Sequence, residues 1–174
     1  MRTQNTTKTL QQEFNDCALM IKDETGGYRP ATGDEIINAA FLEINQRFAQ
    51  GTQISSASEA FDLFKIRLGH LQHEVFGVLW LDNRNRVITF EELFRGTIDS
   101  SAVHPREVVK SALKHNAVAC ILCHNHPSGM SDPSVADKVV TNTAKNALNL
   151  IDVRVLDHVI VGENNYSFAQ NGLL

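Results

Sequence analysis

Val118-Ala119-Cys120-Ile121-Leu122-Cys123-His124-Asn125-His126-Pro127-Ser128-Gly129 is the stretch that decides how this 174-residue chain folds. An unbroken apolar run before His124 predicts a central strand covered on both faces, because a strand with one face in water would alternate apolar and polar residues. The run turns polar at His124, and Pro127, Ser128, Gly129 and Pro133 shape a loop. Ser134 then caps a helix that runs to about Leu150. Further on, Val153 to Val161 reads as a strand, and Tyr166-Ser167-Phe168, reached across Gly162-Glu163-Asn164-Asn165, pairs with it as a terminal hairpin.

Upstream, Pro105 at a first helical position and Val108, Val109, Ala112 and Leu113 at helical spacing give a helix ending near His115-Asn116. Before it, Glu74 to Leu81 and Arg86 to Phe90 flank the turn Asp82-Asn83-Arg84-Asn85 and read as a β-hairpin. Two capping boxes, Thr32-Gly33-Asp34-Glu35 and Ser56-Ala57-Ser58-Glu59, open two helices. The first carries Ile36, Ile37, Ala40, Phe41, Ile44 and Phe48 on one face, and the second has Ala60, Phe61, Phe64, Ile66 and Leu68 as its apolar positions. Residues 1 to about 30 have no clear period and read as an arm with one short helix around Gln11 to Ile21. The expected class is α/β (α+β): a mixed sheet packed against helices, with a helical N-terminal lead. An arm and helix over residues 1–54 precede the domain proper, residues 55–174.

Composition excludes more than it identifies. Hydrophobic residues at 43% and charged residues at 21% set aside disordered, collagen-like and coiled-coil chains. Sixteen Lys and Arg against twenty Asp and Glu leave a net charge of −4, which repels nucleic acid and counts against it as a partner. Three cysteines are too few for a disulfide framework, no secretory leader is visible, and no apolar run approaches the roughly 20 residues that span a bilayer. A cytoplasmic protein without a membrane partner is expected.

The chemistry is concentrated in His124-x-His126-x(7)-Ser134-x(2)-Asp137. Histidines two apart on an extended segment point to the same side, so both imidazoles reach one ion. Asp137 falls in the first turn of the helix capped by Ser134, where the helix N-terminus favours an ionised carboxylate, and a metal ligand must be deprotonated. Two His and one carboxylate leave a fourth position on Zn²⁺ for water, the pattern of a catalytic site. Glu74, an acid at the mouth of an apolar strand, is the candidate proton carrier, and Ser134 the candidate donor to an oxyanion. A polar turn in which Ser134 and Asp137 only cap the helix explains those two residues but not the paired histidines. The same triad also suits non-haem Fe(II), although Glu74 and Ser134 favour zinc.

At these residues the sequence resembles the JAB1/MPN/Mov34 metalloprotease superfamily, whose JAMM motif is a distant Glu followed by His-x-His-x(7)-Ser-x(2)-Asp, complete here as Glu74, His124, His126, Ser134 and Asp137. The longer phrasing is similar to bacterial RadC-like proteins: Glu74-Val75-Phe76, Gly96-Thr97, Pro105-Arg106-Glu107, His124 to Gly129, and Asp157-His158-Val159-Ile160. The resemblance covers about residues 55 to 174. It implies the MPN fold, one catalytic zinc on His124, His126 and Asp137, Glu74 as general acid/base, Ser134 near the oxyanion, and hydrolysis of a peptide or isopeptide bond. The alternative is a DNA-repair-associated or scaffolding RadC-like protein with weak or no peptidase activity. Longer RadC-like chains carry a helix-hairpin-helix, and the leading 55 or so residues here show no matching glycine-rich hairpin.

Other residues are set aside. Cys120 and Cys123 face opposite sides of their strand, Cys120 about 13 Å back from His124, so both are expected in the core. Cys17 lies in the arm with no argument for reactivity. His158 reads either as a residue behind a metal ligand or as half of a structural polar pair with Asp157, and the pair is the commoner fate. His73, His104 and His115 are expected at the surface.

Overall fold

The computed structural model describes residues 19–23, 26–47, 49–96 and 103–174. The chain divides into two compact units, residues 1–44 and 45–174. In the first, β1 (Met20–Lys22) and β2 (Tyr28–Pro30) pair antiparallel, followed by α1 (Gly33–Arg47). Met20 and Ile21 are therefore strand, not the end of the expected helix. Their partners across the turn claim the backbone, Leu19 C=O accepts from Ala31 N–H, and Gln11 to Ala18, with Cys17, lie outside the described residues. Thr32 and Glu35 close the anticipated capping box, the Thr32 hydroxyl accepting from Glu35 N–H and the Glu35 carboxylate from Thr32 N–H. On the apolar stripe of α1, Ile37, Ala40 and Phe41 are exposed and Ile36 is half-buried. Phe48 and the side chain of Ile44 lie outside the described residues.

The second unit holds α2 (Ala57–Leu68), β3 (Val75–Leu81), β4 (Val87–Arg95), α3 (Pro105–Lys114), β5 (Ala119–Asn125), α4 (Val135–Asn149), β6 (Arg154–Val161) and β7 (Tyr166–Ser167). The five strands form one mixed sheet in the order β4-β3-β5-β6-β7, with β5 and β6 parallel and the other pairs antiparallel. Every residue of β3 and β5 is buried, as the unbroken apolar runs required.

The pleat sorts the side chains between two layers. Phe76, Val78 and Trp80 of β3 and Cys120 and Leu122 of β5 pack with Val108 and Ala112 of α3 and Ala144 and Leu148 of α4. On the opposite face lie α2 and the second thiol, Cys123, beside Gly77. Both cysteines are fully buried, and burial pushes both thiols well above their ordinary range. The buried face of α2 is Ala60, Leu63, Phe64 and Leu68. Phe61 and Ile66, expected there, are only half-buried, and Leu63 fills the i+3 position that the sequence reading passed over. Ser56 caps α2 as expected, its hydroxyl accepting from Glu59 N–H, while the Glu59 carboxylate reaches back to Ser55 N–H and hydroxyl.

Candidate metal centre

Three neighbouring strands bring the site together. The antiparallel register pairs Phe76 with His124. Continued two residues outward, it sets Glu74 opposite His126, on the same face of the sheet. On the other side β6 runs parallel to β5 with Leu122 beside His158, so His158 is the diagonal neighbour of His124 on that face. The loop after His126 then returns to α4, which delivers Asp137 from its first turn.

The ligand candidates converge: one donor atom each of His124, His126 and Asp137 lie within 4.8 Å of one another. His124 Nε2 is 3.0 Å from His126 Nε2 and 3.2 Å from Asp137 Oδ1, and His126 Nε2 is 3.6 Å from Asp137 Oδ2. Glu74 and Ser134 line the same cavity, about 320 Å³, whose walls also include Phe76, Val103 and Val140. The four residues picked out by spacing and Glu74, picked out as an acid at the mouth of an apolar strand, thus line one cavity.

Local contacts explain the geometry. Ser134 Oγ accepts from Asp137 N–H at 3.1 Å, while Asp137 Oδ2 accepts from Ser134 N–H at 2.7 Å, a complete capping box that fixes the carboxylate. Burial alone would raise the Asp137 pKa. Close contact with the His124 ring and the hydrogen bond from Ser134 N–H outweigh it and hold the carboxyl well below the usual carboxylate range. His126 N–H donates to Val161 C=O at 2.9 Å, and Nδ1 lies 2.6 Å from Met130 C=O. A carbonyl only accepts, so His126 Nδ1 carries the hydrogen and Nε2 presents a lone pair to the cavity. The loop closes against β6 at Gly162, where a Cβ would lie 2.5 Å from the Gly129 carbonyl oxygen.

His158 does not pair through its ring with Asp157. The two side chains leave β6 on opposite faces, and the Asp157 carboxylate takes His158 N–H, the Ser167 hydroxyl and Ala169 N–H. The His158 ring, fully buried, stacks on Phe168 and reaches His124 Nδ1 at 2.8 Å. Burial, reinforced by the neighbouring His124, pushes its pKa well down, so the ring is neutral. Of the other histidines, His104 is exposed beside the Phe94 ring, whereas His115 is half-buried with Nε2 2.9 Å from Glu91.

Sequence reasoning missed Asn125, which lies between the two histidines and faces the other layer. Its Oδ1 accepts from Val75 N–H at 2.8 Å, and Nδ2 donates to His73 C=O at 3.0 Å. It clamps the segment carrying Glu74 to the strand carrying the histidines. The available signal was a buried polar residue ending an apolar strand, which must find partners. Among the described residues the Glu74 carboxylate itself has no hydrogen-bond or ion-pair partner.

Two inward-facing imidazoles and a carboxylate on a mixed-sheet α/β domain define a protein with a candidate metal site of the JAB type. A family model described as the RadC-like JAB domain matches residues 54–173, and the chain belongs to that family. Its curated relatives include a UPF0758 protein of Thioalkalivibrio sulfidiphilus, 44% identical over 91% of this chain and 80% of its own length. A second, from Vibrio cholerae, is 48% identical over 80% of this chain and 88% of its own length. A third, from Pseudomonas fluorescens, reaches 62% identity over 64% of this chain and 50% of its own length. No helix among the described residues is long and apolar enough to cross a membrane.

Proposed function

We propose that the chain is a zinc-dependent hydrolase of amide bonds in peptides or isopeptides, with His124, His126 and Asp137 as the ligands of one Zn²⁺. The supporting observation is the donor set itself. His126 is a hydrogen-bond acceptor at Nε2, His124 Nε2 faces it at 3.0 Å, and an ionised carboxylate completes the ring. Three converging acceptors repel one another unless a cation or a proton lies between them. Such an ion would supply Lewis acidity and a water whose pKa falls from 15.7 to roughly 7.

The chain's own residues account for the rest of the reaction. Glu74, with its carboxylate unengaged on the wall of the same cavity, takes the proton of the attacking water and returns it to the leaving amine. Ser134 uses its oxygen lone pairs for Asp137 N–H and so keeps its hydroxyl hydrogen for the developing oxyanion. Phe76, Val103 and Val140 give the substrate an apolar wall that excludes water from part of the cavity.

The test joins metal analysis to cleavage. Purified wild type should hold about one zinc, with little in His126→Ala or Asp137→Ala. Incubated with a peptide library that includes Lys-ε-linked isopeptides, the zinc-loaded wild type should release new amino termini, read by mass spectrometry. Glu74→Gln should keep its zinc and lose the cleavage. Equal zinc in all forms sinks the ligand assignment, and an active Glu74→Gln removes Glu74 from the mechanism.

A further inference from the structure

Behind the metal-facing nitrogen of His124 runs a chain of hydrogen bonds that ends on the backbone of Asp137. Thr141 Oγ1 lies 2.5 Å from Asp137 C=O and 2.6 Å from His158 Nδ1. A carbonyl cannot donate, so the Thr141 hydroxyl gives its hydrogen to Asp137 and must accept from His158 Nδ1–H. The His158 ring is fully buried between Phe168 and Phe76, where an unpaired charge is too costly to hold, so it carries one hydrogen, on Nδ1, and offers only a lone pair at Nε2. That lone pair meets His124 Nδ1 at 2.8 Å, so His124 carries its hydrogen on Nδ1 and presents a bare Nε2 to the cavity.

We infer that His158 and Thr141 are positioning residues that lock His124 in its metal-binding tautomer and tie it to Asp137, so that the site is preorganised before any ion arrives. The relay links two of the three ligands through side chains of β6 and α4 that do not themselves reach the ion's place. Among the described residues its surroundings show no competing side-chain partner. The His158 ring is held by Phe168 at 4.9 Å between centroids and by the edge of Phe76 at 5.7 Å, and Thr141 is 1% exposed. The third ligand has its own lock, His126 Nδ1 on Met130 C=O. Each histidine is thus oriented from behind by a group that only accepts at the bonding atom. Outer partners of metal-bound histidines are ordinarily carboxylates, carbonyls or water, and here a neutral imidazole does that work for His124.

This inference rests on the metal reading above but not on hydrolysis, and its test needs no substrate. In the full-length, metal-free wild type, two-bond ¹H–¹⁵N spectra should show His124 and His158 both with the hydrogen on Nδ1. A hydrogen on His124 Nε2 overturns the inference. Zinc affinity, measured by competition with a chromophoric chelator, should fall about 10- to 100-fold in Thr141→Val and in His158→Phe. Thr141→Ser, which restores the hydroxyl, should stay within a few-fold of wild type. If His158→Phe does not fold, Thr141→Val and the wild-type spectra still decide. Wild-type affinity in Thr141→Val refutes the relay while leaving the metal site standing, whereas a wild type that binds no zinc refutes the site as well.

Discussion

Replacing Asn125 with Ala should cost stability and catalysis while leaving the metal ligands intact. Asn125 is 2% exposed, and its amide makes a hydrogen bond to Val75 N–H and one to His73 C=O, with a longer contact of 3.4 Å to Leu71 C=O. Val75 is fully buried, so its orphaned N–H bears most of the penalty, about 1–3 kcal/mol. His73 and Leu71 are half-buried, and water can satisfy their carbonyls in part. With the lost bonds included, the total comes to about 2–4 kcal/mol, roughly 10 °C in Tm for a unit of this size. Asn125→Asp keeps the acceptor for Val75 but cannot donate to His73 when ionised, so it should destabilise comparably. The histidines lie on the other face of β5, so zinc content should remain near one ion. Freed from its clamp, Glu74 should no longer be held opposite His126, and cleavage should fall more than zinc binding does. Thermal unfolding, metal analysis and the peptide-library assay on one preparation make the comparison. A variant that melts with wild type, or loses zinc in step with activity, would refute the clamp.

Three further outcomes follow from named contacts. Glu91, with Ser111, Lys114 and His115 against its carboxylate, is desolvated by burial, yet those partners prevail and lower its pKa from 4.5 to about 2. A depressed folded pKa stabilises above the unfolded value and is lost as pH falls through the folded one. The stability gap to Glu91→Gln should therefore be about 1–3 kcal/mol above pH 5 and shrink between about 4.5 and 2, and a gap constant with pH in urea titrations contradicts this. Zinc at about 100 times its dissociation constant should stabilise the fold by about 2.7 kcal/mol, read as a rise in Tm that a chelator reverses; an unmoved Tm counts against binding to the native state. Gly162→Ala would drive a Cβ into the Gly129 carbonyl, costing about 1–3 kcal/mol and shifting the loop that orients His126, so zinc affinity should drop as well; wild-type affinity would show that the loop yields without moving His126.

Which parts of this were legible in the sequence follows from the range of the interactions. The order of elements, the burial of β5 and the Ser134 cap are local signals, carried by run length and spacing within one segment. The role of His158 is not local. Its chain neighbour Asp157 suggested a pair, but consecutive strand residues diverge, and only the pairing of β6 with β5 shows that the ring belongs to His124. Asn125 is similar: the spacing draws attention to the residues either side, while its own partners lie about 50 positions away. The stripe on α1 is periodic, yet Ile37 and Phe41 are exposed, because periodicity reports an amphipathic face without reporting what covers it.

Capping and the proposed metal binding are not rival readings of Ser134 and Asp137. The capping box uses Asp137 Oδ2 for Ser134 N–H, and this bond sets the side-chain rotamer with Oδ1 turned to within 3.2 Å of His124 Nε2. A carboxylate free to rotate would have to be ordered by the ion at an entropic cost, whereas this one is ordered by the start of its own helix. The same device places Oδ2 3.6 Å from His126 Nε2, so one cap orients the ligand toward both histidines. A strand terminus that sets two imidazoles side by side and a helix terminus that freezes a carboxylate opposite them are each ordinary local structure. What makes them a site is the short loop, closed on Gly162, that holds the two termini face to face.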